Sequence, residues 1–204
     1  MKPLLLIGGG GHCHSCIDVV EATKSYQIEG VILPKLSSER ILGYPIIGSD
    51  RDLSNLLSGA RSALITVGQI KTPEVRIRLF DLLKQIGAEL PVIISPRAYC
   101  SKHVITGEGT IIMHGAVVNA GARIGNNCIV NSQALVEHGV TIDDHCHIST
   151  GARVNGNVTI GRGSFVGSGA VIKEDIRVGE NVIIGAGQVV LDDLPSGTVM
   201  KHVL

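Results

Sequence analysis

Residues 129–154 read IVNSQALVEHGVTIDDHCHISTGARV, with Ile or Val at positions 130, 136, 142, 148 and 154. The series extends without a miss from Ile112 to Val190, fourteen hits in fourteen. No helix has this period: six residues advance an α-helix by about 600°, which scatters the apolar side chains around its axis. A six-residue period marks a parallel β-helix in which each repeat is one short strand and one corner.

The rest of each hexad agrees. Four places after the branched residue stands a mostly small or apolar one, among them Ala116, Ala122, Cys128, Ala134, Val140, Cys146, Ala152, Val158, Ser164 and Ala170. Both positions point inward, and the small residue lets a narrow coil close. Gly, Asn, Asp and Glu lie between them and suit the bends. Three hexads make one turn, so residue n lies under residue n+18, and coils stack about 4.8 Å apart through backbone hydrogen bonds. One coil cannot bury its own face; several in series can.

The 204 residues allow one or two domains. Hydrophobic residues make up 44% and charged residues 18%, which provides a core and argues against disorder. Aromatics are only 2%, as a narrow solenoid interior requires. Eighteen basic and eighteen acidic residues balance, which argues against nucleic acid or an anionic membrane as partner. No apolar stretch is long enough to span a bilayer. The opening apolar run is too short for a signal peptide and reads as a first strand. Five cysteines without a framework fit a reducing cytoplasm. Cys128 and Cys146 stack in adjacent coils, where buried free thiols are the commoner reading.

Residues 1–96 have a different rhythm and read as a small parallel α/β domain, with the β-helix over 97–204. A strand at 4–7 runs into Gly8-Gly9-Gly10-Gly11-His12 and a helix through about Lys24. Strands follow near 29–33 and 44–47, then a helix near 50–57 and a strand over 63–67. Thr72 caps a helix with Pro73 in its first position. That helix carries Val75, Leu79, Leu82, Leu83 and Ile86 on one face and stops at Gly87. A last strand covers 90–94, and Ser95-Pro96 is the hinge into the solenoid.

The glycine run follows a strand and opens a helix, so main-chain N–H groups at Gly10, Gly11 and His12 can hold a phosphate; the bland alternative is a tight turn. Leu33-Pro34-Lys35 stands where a ribose-binding acid would be expected, which disfavours a dinucleotide. Gly68 lies at the same sheet edge and joins the substrate-binding set. Lys71 and Arg76 nearby could meet an anion, but read more simply as solvated surface residues. His12-Cys13-His14-Ser15-Cys16 has no second ligand pair at metal spacing and reads as a helix start without metal. In the solenoid His138 lies between Ala120 below and Gly156 above, two places after Val136 and therefore facing out. His147 also projects outward. An imidazole has the resting pKa to take a proton near neutrality.

An α/β domain led by the glycine loop, joined to hexapeptide repeats with Glu137-His138 and Ser149-x-Gly151-Ala152, resembles the sialic acid O-acetyltransferase (NeuD) family of sugar acetyltransferases. The resemblance covers nearly the whole chain. It implies a left-handed β-helix, a cytoplasmic homotrimer, and acetyl-CoA bound between neighbouring solenoids. It implies His138 as catalytic base, Glu137 beside it, and His147, Gly156, Ser168 and Ala186 along the cofactor. The glycine loop would hold the sugar or nucleotide-sugar acceptor, most simply a sialic acid acetylated on oxygen. Three positions depart from the pattern. Gly139 replaces the carboxylate that follows the histidine in N-acetylating members, so Glu137 or a neighbouring subunit must orient His138. Leu33-Pro34-Lys35 replaces an acidic pair. Met200-Lys201-His202-Val203-Leu204 replaces the usual ending. The alternatives are N-acetylation of a UDP-4-amino-sugar, a non-catalytic hexapeptide scaffold, and a carbonic-anhydrase-like zinc protein.

Overall fold

The computed structural model describes residues 1–35, 38–57 and 62–201. Strand β1 (Lys2–Ile7) leads through Gly8–Gly10 into α1 (Gly11–Thr23). Then come β2 (Tyr26–Leu33), β3 (Arg40–Ile41), β4 (Tyr44–Ser49), α2 (Leu53–Leu56), β5 (Ser62–Ile65) and α3 (Glu74–Gln85). The sheet order is β3-β4-β2-β1-β5, parallel except for the β3–β4 hairpin. Chain leaving β1 passes to β2 on one side while β5 lies on the other, so the topological switch point falls at the carboxyl ends of β1 and β5. Open α/β sheets place ligands there.

Helix α3 starts one residue later than the capping pattern predicts, at Glu74 with Pro73 in the N-cap position. The Glu74 N–H donates to Thr72 Oγ1 at 3.3 Å, and the Ile77 N–H to the Pro73 carbonyl at 2.9 Å. The buried stripe of α3 differs from the expected one. Arg76, Leu79, Phe80 and Leu83 are buried, whereas Val75 is exposed. Positions 76, 79, 80 and 83 have the i, i+3, i+4, i+7 spacing of one helical face, and Val75 sits about 100° away. Arg76 is therefore not a solvated surface residue.

Beyond α3 the chain winds into a three-sided parallel β-helix. The first face has seven strands, from Ile93–Ile94 to Val199–Met200. The second has six, from Tyr99–Cys100 to Val189–Val190, and the third has five, from Ile105–Thr106 to Arg177–Val178. Partners along a face are eighteen residues apart, as in Ile129 with His147 and Leu135 with Arg153, except at the end, where Ile183 pairs with Val199. The hexapeptide β-helix expected from the repeat is the one observed, and its left-handed winding is what the family resemblance implies. The strand expected over 90–94 is confined to Ile93–Ile94 and pairs with Ile111–Ile112, so it opens the solenoid. The first coil is regular rather than loose, with strands at Tyr99–Cys100 and Ile105–Thr106.

Every inward Ile and Val from Ile112 to Val190 is buried in one column with Ala116, Ala122, Ala134, Ala152 and Ala170. Cys128 and Cys146 are free thiols in that column, and the Cys146 N–H donates to Cys128 Sγ at 3.4 Å. A second core joins the two parts. Cys13, Cys16, Ile17 and Val20 of α1 pack with outward-facing Ile93, Ile111 and Ile129 of the first face. Cys13 and Cys16 are thus core residues. No helix is long and apolar enough to cross a membrane among the described residues.

Alternation along the short strands makes a direct prediction. Ile148→Ala, fully buried, should cost about 2–5 kcal/mol in urea denaturation. Thr159→Ala, outward and exposed, should cost less than about 0.5 kcal/mol. Equal losses would contradict the inward assignment.

Candidate functional site

The glycine loop turns sharply at Gly8, whose φ is +109°. A Cβ there would lie 2.5 Å from Val67 Cγ2, so only glycine lets β1 and the segment after β5 approach. Thr66 Oγ1 donates to the Gly8 carbonyl at 2.5 Å and locks the two together. Helix α1 then starts at Gly11 with Gly10 before it, no side-chain cap and no acidic residue in its first turn. Its first N–H groups are open to a negatively charged group. Leu33 packs over Gly9, where a Cβ would come within 2.6 Å of Leu33 Cδ2. An apolar side chain therefore occupies the place expected of a ribose-binding acid.

Between this loop and the first face of the solenoid lies a groove of about 710 Å³. Gly10, Gly11 and His12 line one side, Val67, Gly68 and Gln69 the roof, and Asn131, His147, Ser149 and Ser168 the floor. It continues along the same face into a more apolar space of about 610 Å³, lined by Phe165, Ser168, Ala186, Lys71 and Lys201. Six expected site residues therefore meet in one cleft: Gly10, Gly11, His12, Gly68, His147 and Ser168. Ala186 lies along its extension. Of the atypical ending, Met200 and Lys201 are in place, and 202–204 lie outside the described residues.

His147 faces away from the solenoid axis as expected, but it is 6% exposed because the roof covers it. Its Nδ1 donates to the Gln69 carbonyl at 2.6 Å, and the Asn131 Nδ2 group donates to its Nε2 at 3.1 Å. The Phe165 ring meets it edge-on at 5.2 Å. Burial, with Arg76 nearby, pulls its pKa down to about 4, although the Gln69 bond acts the other way. His12 lies 6.4 Å from His147 between ring centres. Burial, then Arg76 and His147, pulls the pKa of His12 to about 3. Its Nε2 is buried without a protein partner, as is Gln69 Oε1. Both residues line the groove, and buried polar atoms without a partner are rare in folded proteins.

Arg76 underlies the roof. It is 1% exposed and forms four bonds: Nη1 donates to the carbonyls of Ile65 at 3.0 Å and Val67 at 2.6 Å, and Nη2 to the Asn127 carbonyl at 3.0 Å and Oδ1 at 2.5 Å. Burial lowers its pKa to about 10, so it remains charged at neutrality. Gln69, Asn131 and Phe165 are absent from the residues singled out in the sequence, and Arg76, named there as a solvated surface residue, is buried instead. Only Arg76 carried a signal, its place on the apolar stripe of α3.

His138 is elsewhere. It follows the second-face strand Leu135–Val136 and precedes the third-face strand Thr141–Ile142, while the groove floor turns from the first face to the second. His138 and the groove therefore sit at different corners of the same prism. His138 is exposed, and its ring lies over Gly156, where a Cβ would approach Cε1 to 2.7 Å. The space expected around the imidazole is space the imidazole itself fills. Glu137 does not reach the ring: its Oε2 accepts the Asn119 Nδ2 group at 2.8 Å and the His138 main-chain N–H at 3.3 Å. Gly139 has φ +68°, and a Cβ there would press on the Asn157 Oδ1, so a side chain at this position needs a strained backbone and a displaced Asn157 amide.

The buried imidazoles make acid destabilising. His12, His145 and His147 hold pKa values of about 3, 4 and 4 against 6.5 for the ordinary group. Between those values the unfolded chain binds more protons, so stability falls as pH drops from about 6.5 toward 4. Thermal unfolding by circular dichroism should show a lower midpoint at pH 5 than at pH 7. An equal or higher midpoint would contradict it.

Comparison with known proteins follows this division. The PglD N-terminal domain family matches residues 3–83, and the bacterial transferase hexapeptide family matches 103–138 and 157–190. Curated protein sequences gave no match. Among solved structures, the acetyltransferase domain of PglB from Neisseria gonorrhoeae in complex with acetyl coenzyme A is 34% identical, with a TM-score of 0.91 over 97% of this chain and 95% of that one. PerB from Caulobacter crescentus in complex with CoA and GDP-perosamine is 30% identical, with a TM-score of 0.90 over 98% of this chain and 93% of that one. WeeI from Acinetobacter baumannii, 24% identical with a TM-score of 0.87 over 98% of this chain and 96% of that one, shares the fold. A match that spans both the glycine-loop domain and the solenoid places the chain in the family of bacterial hexapeptide-repeat transferases with a PglD-type N-terminal domain.

Proposed function

We propose that this protein is an acetyl-CoA-dependent acetyltransferase that modifies a nucleotide-linked amino sugar on nitrogen. One observation carries the reading: the switch point of the sheet and the first face of the solenoid share one groove. Its open helix start suits a phosphate-bearing acceptor, and its apolar extension suits a pantetheine arm. Two buried atoms without partners, His12 Nε2 and Gln69 Oε1, fit a ligand in the same place. The relatives support the chemistry, since acetyl coenzyme A and GDP-perosamine occupy structures of this shape. Lys71 and Lys201, beside the extension, suit the phosphates of the cofactor.

The base has to come from a second chain. The outward column on the second face reads Tyr99, Val117, Leu135, Arg153, Val171 and Val189, apolar but for Arg153. The third face shows Ile105, Arg123, Thr141, Thr159 and Arg177. An apolar sheet face open to water marks an interface. Packing it in a homotrimer would bring His138 of one chain to the groove of the next. His138 then accepts a proton from the acceptor amine as nitrogen attacks the thioester carbon. The carbon–sulfur bond breaks, and the thiolate leaves with the proton His138 took up. The Gly156 N–H, beside the ring, is the donor for the transient oxyanion. A base so placed contributes about 10²- to 10⁴-fold. The reading puts the enzyme in the cytoplasm, where acetyl-CoA is available.

O-acetylation of sialic acid or a related nonulosonic acid is the second reading, and Gly139 favours it. No carboxylate stands behind His138 to orient it or to balance the charge it would take up from an ammonium group. A thiol-release assay with UDP-4-amino-sugars, GDP-perosamine and sialic acid separates the two. An amino sugar should give the highest kcat/KM, and turnover with sialic acid alone would overturn nitrogen in favour of oxygen. His138→Ala should lose at least about a hundredfold in transfer while acetyl-CoA binding, read by calorimetry, is retained. Near-normal turnover of that variant would exclude His138 as the base.

A further inference from the structure

The corner between the third and first faces is made by Asn127, His145 and Gly163, all in the left-handed region with φ of 52°, 60° and 73°. Their N–H groups join the coil-to-coil ladder, but their carbonyls point away from it. Buried carbonyls need donors from elsewhere. The N-terminal domain supplies them. Arg76 Nη2 serves Asn127, and the Gln69 side-chain amide donates to the carbonyls of His145 at 2.9 Å and Gly163 at 3.2 Å. Gln69 is 2% exposed, so this amide is a buried anchor rather than a surface contact. The same residue turns its main-chain carbonyl onto His147 Nδ1 at 2.6 Å. An acceptor at Nδ1 requires the proton to sit on that nitrogen, which leaves Nε2 as an acceptor. The Asn131 amide donates to it, and Asn131 Oδ1 accepts the Ser132 N–H at 2.8 Å.

We propose that Gln69 is a positioning residue: anchored by its side chain to two corner carbonyls, it holds its own carbonyl on His147 and keeps that imidazole in the Nδ1–H form, with an unprotonated Nε2 turned to Asn131 in the groove. His147 then gives no N–H to the groove. It orients the Asn131 amide, and that amide carries the free hydrogen. The order of dependence runs from Arg76 and Gln69, through the roof, to His147 and Asn131. The tautomer stands on geometry alone; its effect on turnover rests on the acetyl-transfer reading above.

Long-range ¹⁵N–¹H correlation spectra of histidine-labelled protein test this, with the His147 signals identified by their loss in His147→Asn. In the unaltered protein His147 should show a protonated Nδ1 and an unprotonated Nε2 at pH 7. In Gln69→Leu, which keeps the bulk and removes the amide, the two nitrogens should shift toward an average of both tautomers. The kcat for acetyl transfer should fall about ten- to a hundredfold, with KM for acetyl-CoA within about twofold of the original. An Nε2–H tautomer in the unaltered protein overturns the proposal even if no variant folds. So do a folded Gln69→Leu protein with unchanged His147 signals, and shifted signals with unchanged kcat. An unaltered protein that shows the Nδ1–H form but transfers no acetyl group would remove the functional reading and leave the positioning role of Gln69 intact.

Discussion

Parallel pairing at an eighteen-residue offset is the constraint on which this molecule depends. Each solenoid strand is two residues long and could not persist alone. It persists because its N–H and C=O groups meet the coils above and below, and because a branched side chain at every sixth position falls on the one beneath it. A shift of a single residue would turn Ile and Val outward and put Arg153, Arg177 and Thr159 into the core. The same register places functional groups. It stacks the His138 ring on Gly156, sets Asn157 over Gly139, and lines up the corner carbonyls that receive the N-terminal domain.

Docking of that domain combines an apolar and a polar device. The apolar one is the shared core of α1 with Ile93, Ile111 and Ile129. The polar one is Arg76, a cation removed from water, which would be costly if unpaired. Four acceptors, two from the β5 end and two from Asn127, offset that cost and make the guanidinium a rivet between the parts. The groove lies beside the rivet. Its roof is short, and its geometry is held from both ends, by Thr66 on Gly8 and by Gln69 on the solenoid corner.

The solenoid was legible because its code is local and periodic: inward position, corner glycine and coil length all follow from a six-residue rhythm. The α/β half was legible in its element order, and the glycine loop in its place at the sheet edge. What escaped the sequence depends on tertiary approach. Nothing local distinguishes Gln69 or Asn131 from other loop amides until the roof folds onto the first face. Arg76 escaped because a charged residue on a helix is usually solvated, although it kept step with Leu79, Phe80 and Leu83. His147 was placed on the correct side of the coil, but its cover comes from residues almost eighty positions earlier in the chain. The boundary near Ser95-Pro96 came late by a strand because Ile93–Ile94 reads equally well as the end of the sheet or the first rung of the helix.

The central claim is that the groove and its base belong to different copies of the chain. Subunit complementation tests it most directly. One variant, His138→Ala, keeps the groove and lacks the base; a second, Ser168→Trp, fills the groove and keeps the base. Each alone should be inactive. Co-expressed in equal amounts, they should regain roughly a quarter of the original activity per site, because random mixing pairs an intact groove with an intact histidine at that frequency. Mixed assemblies no more active than their parents would contradict a site built from two chains.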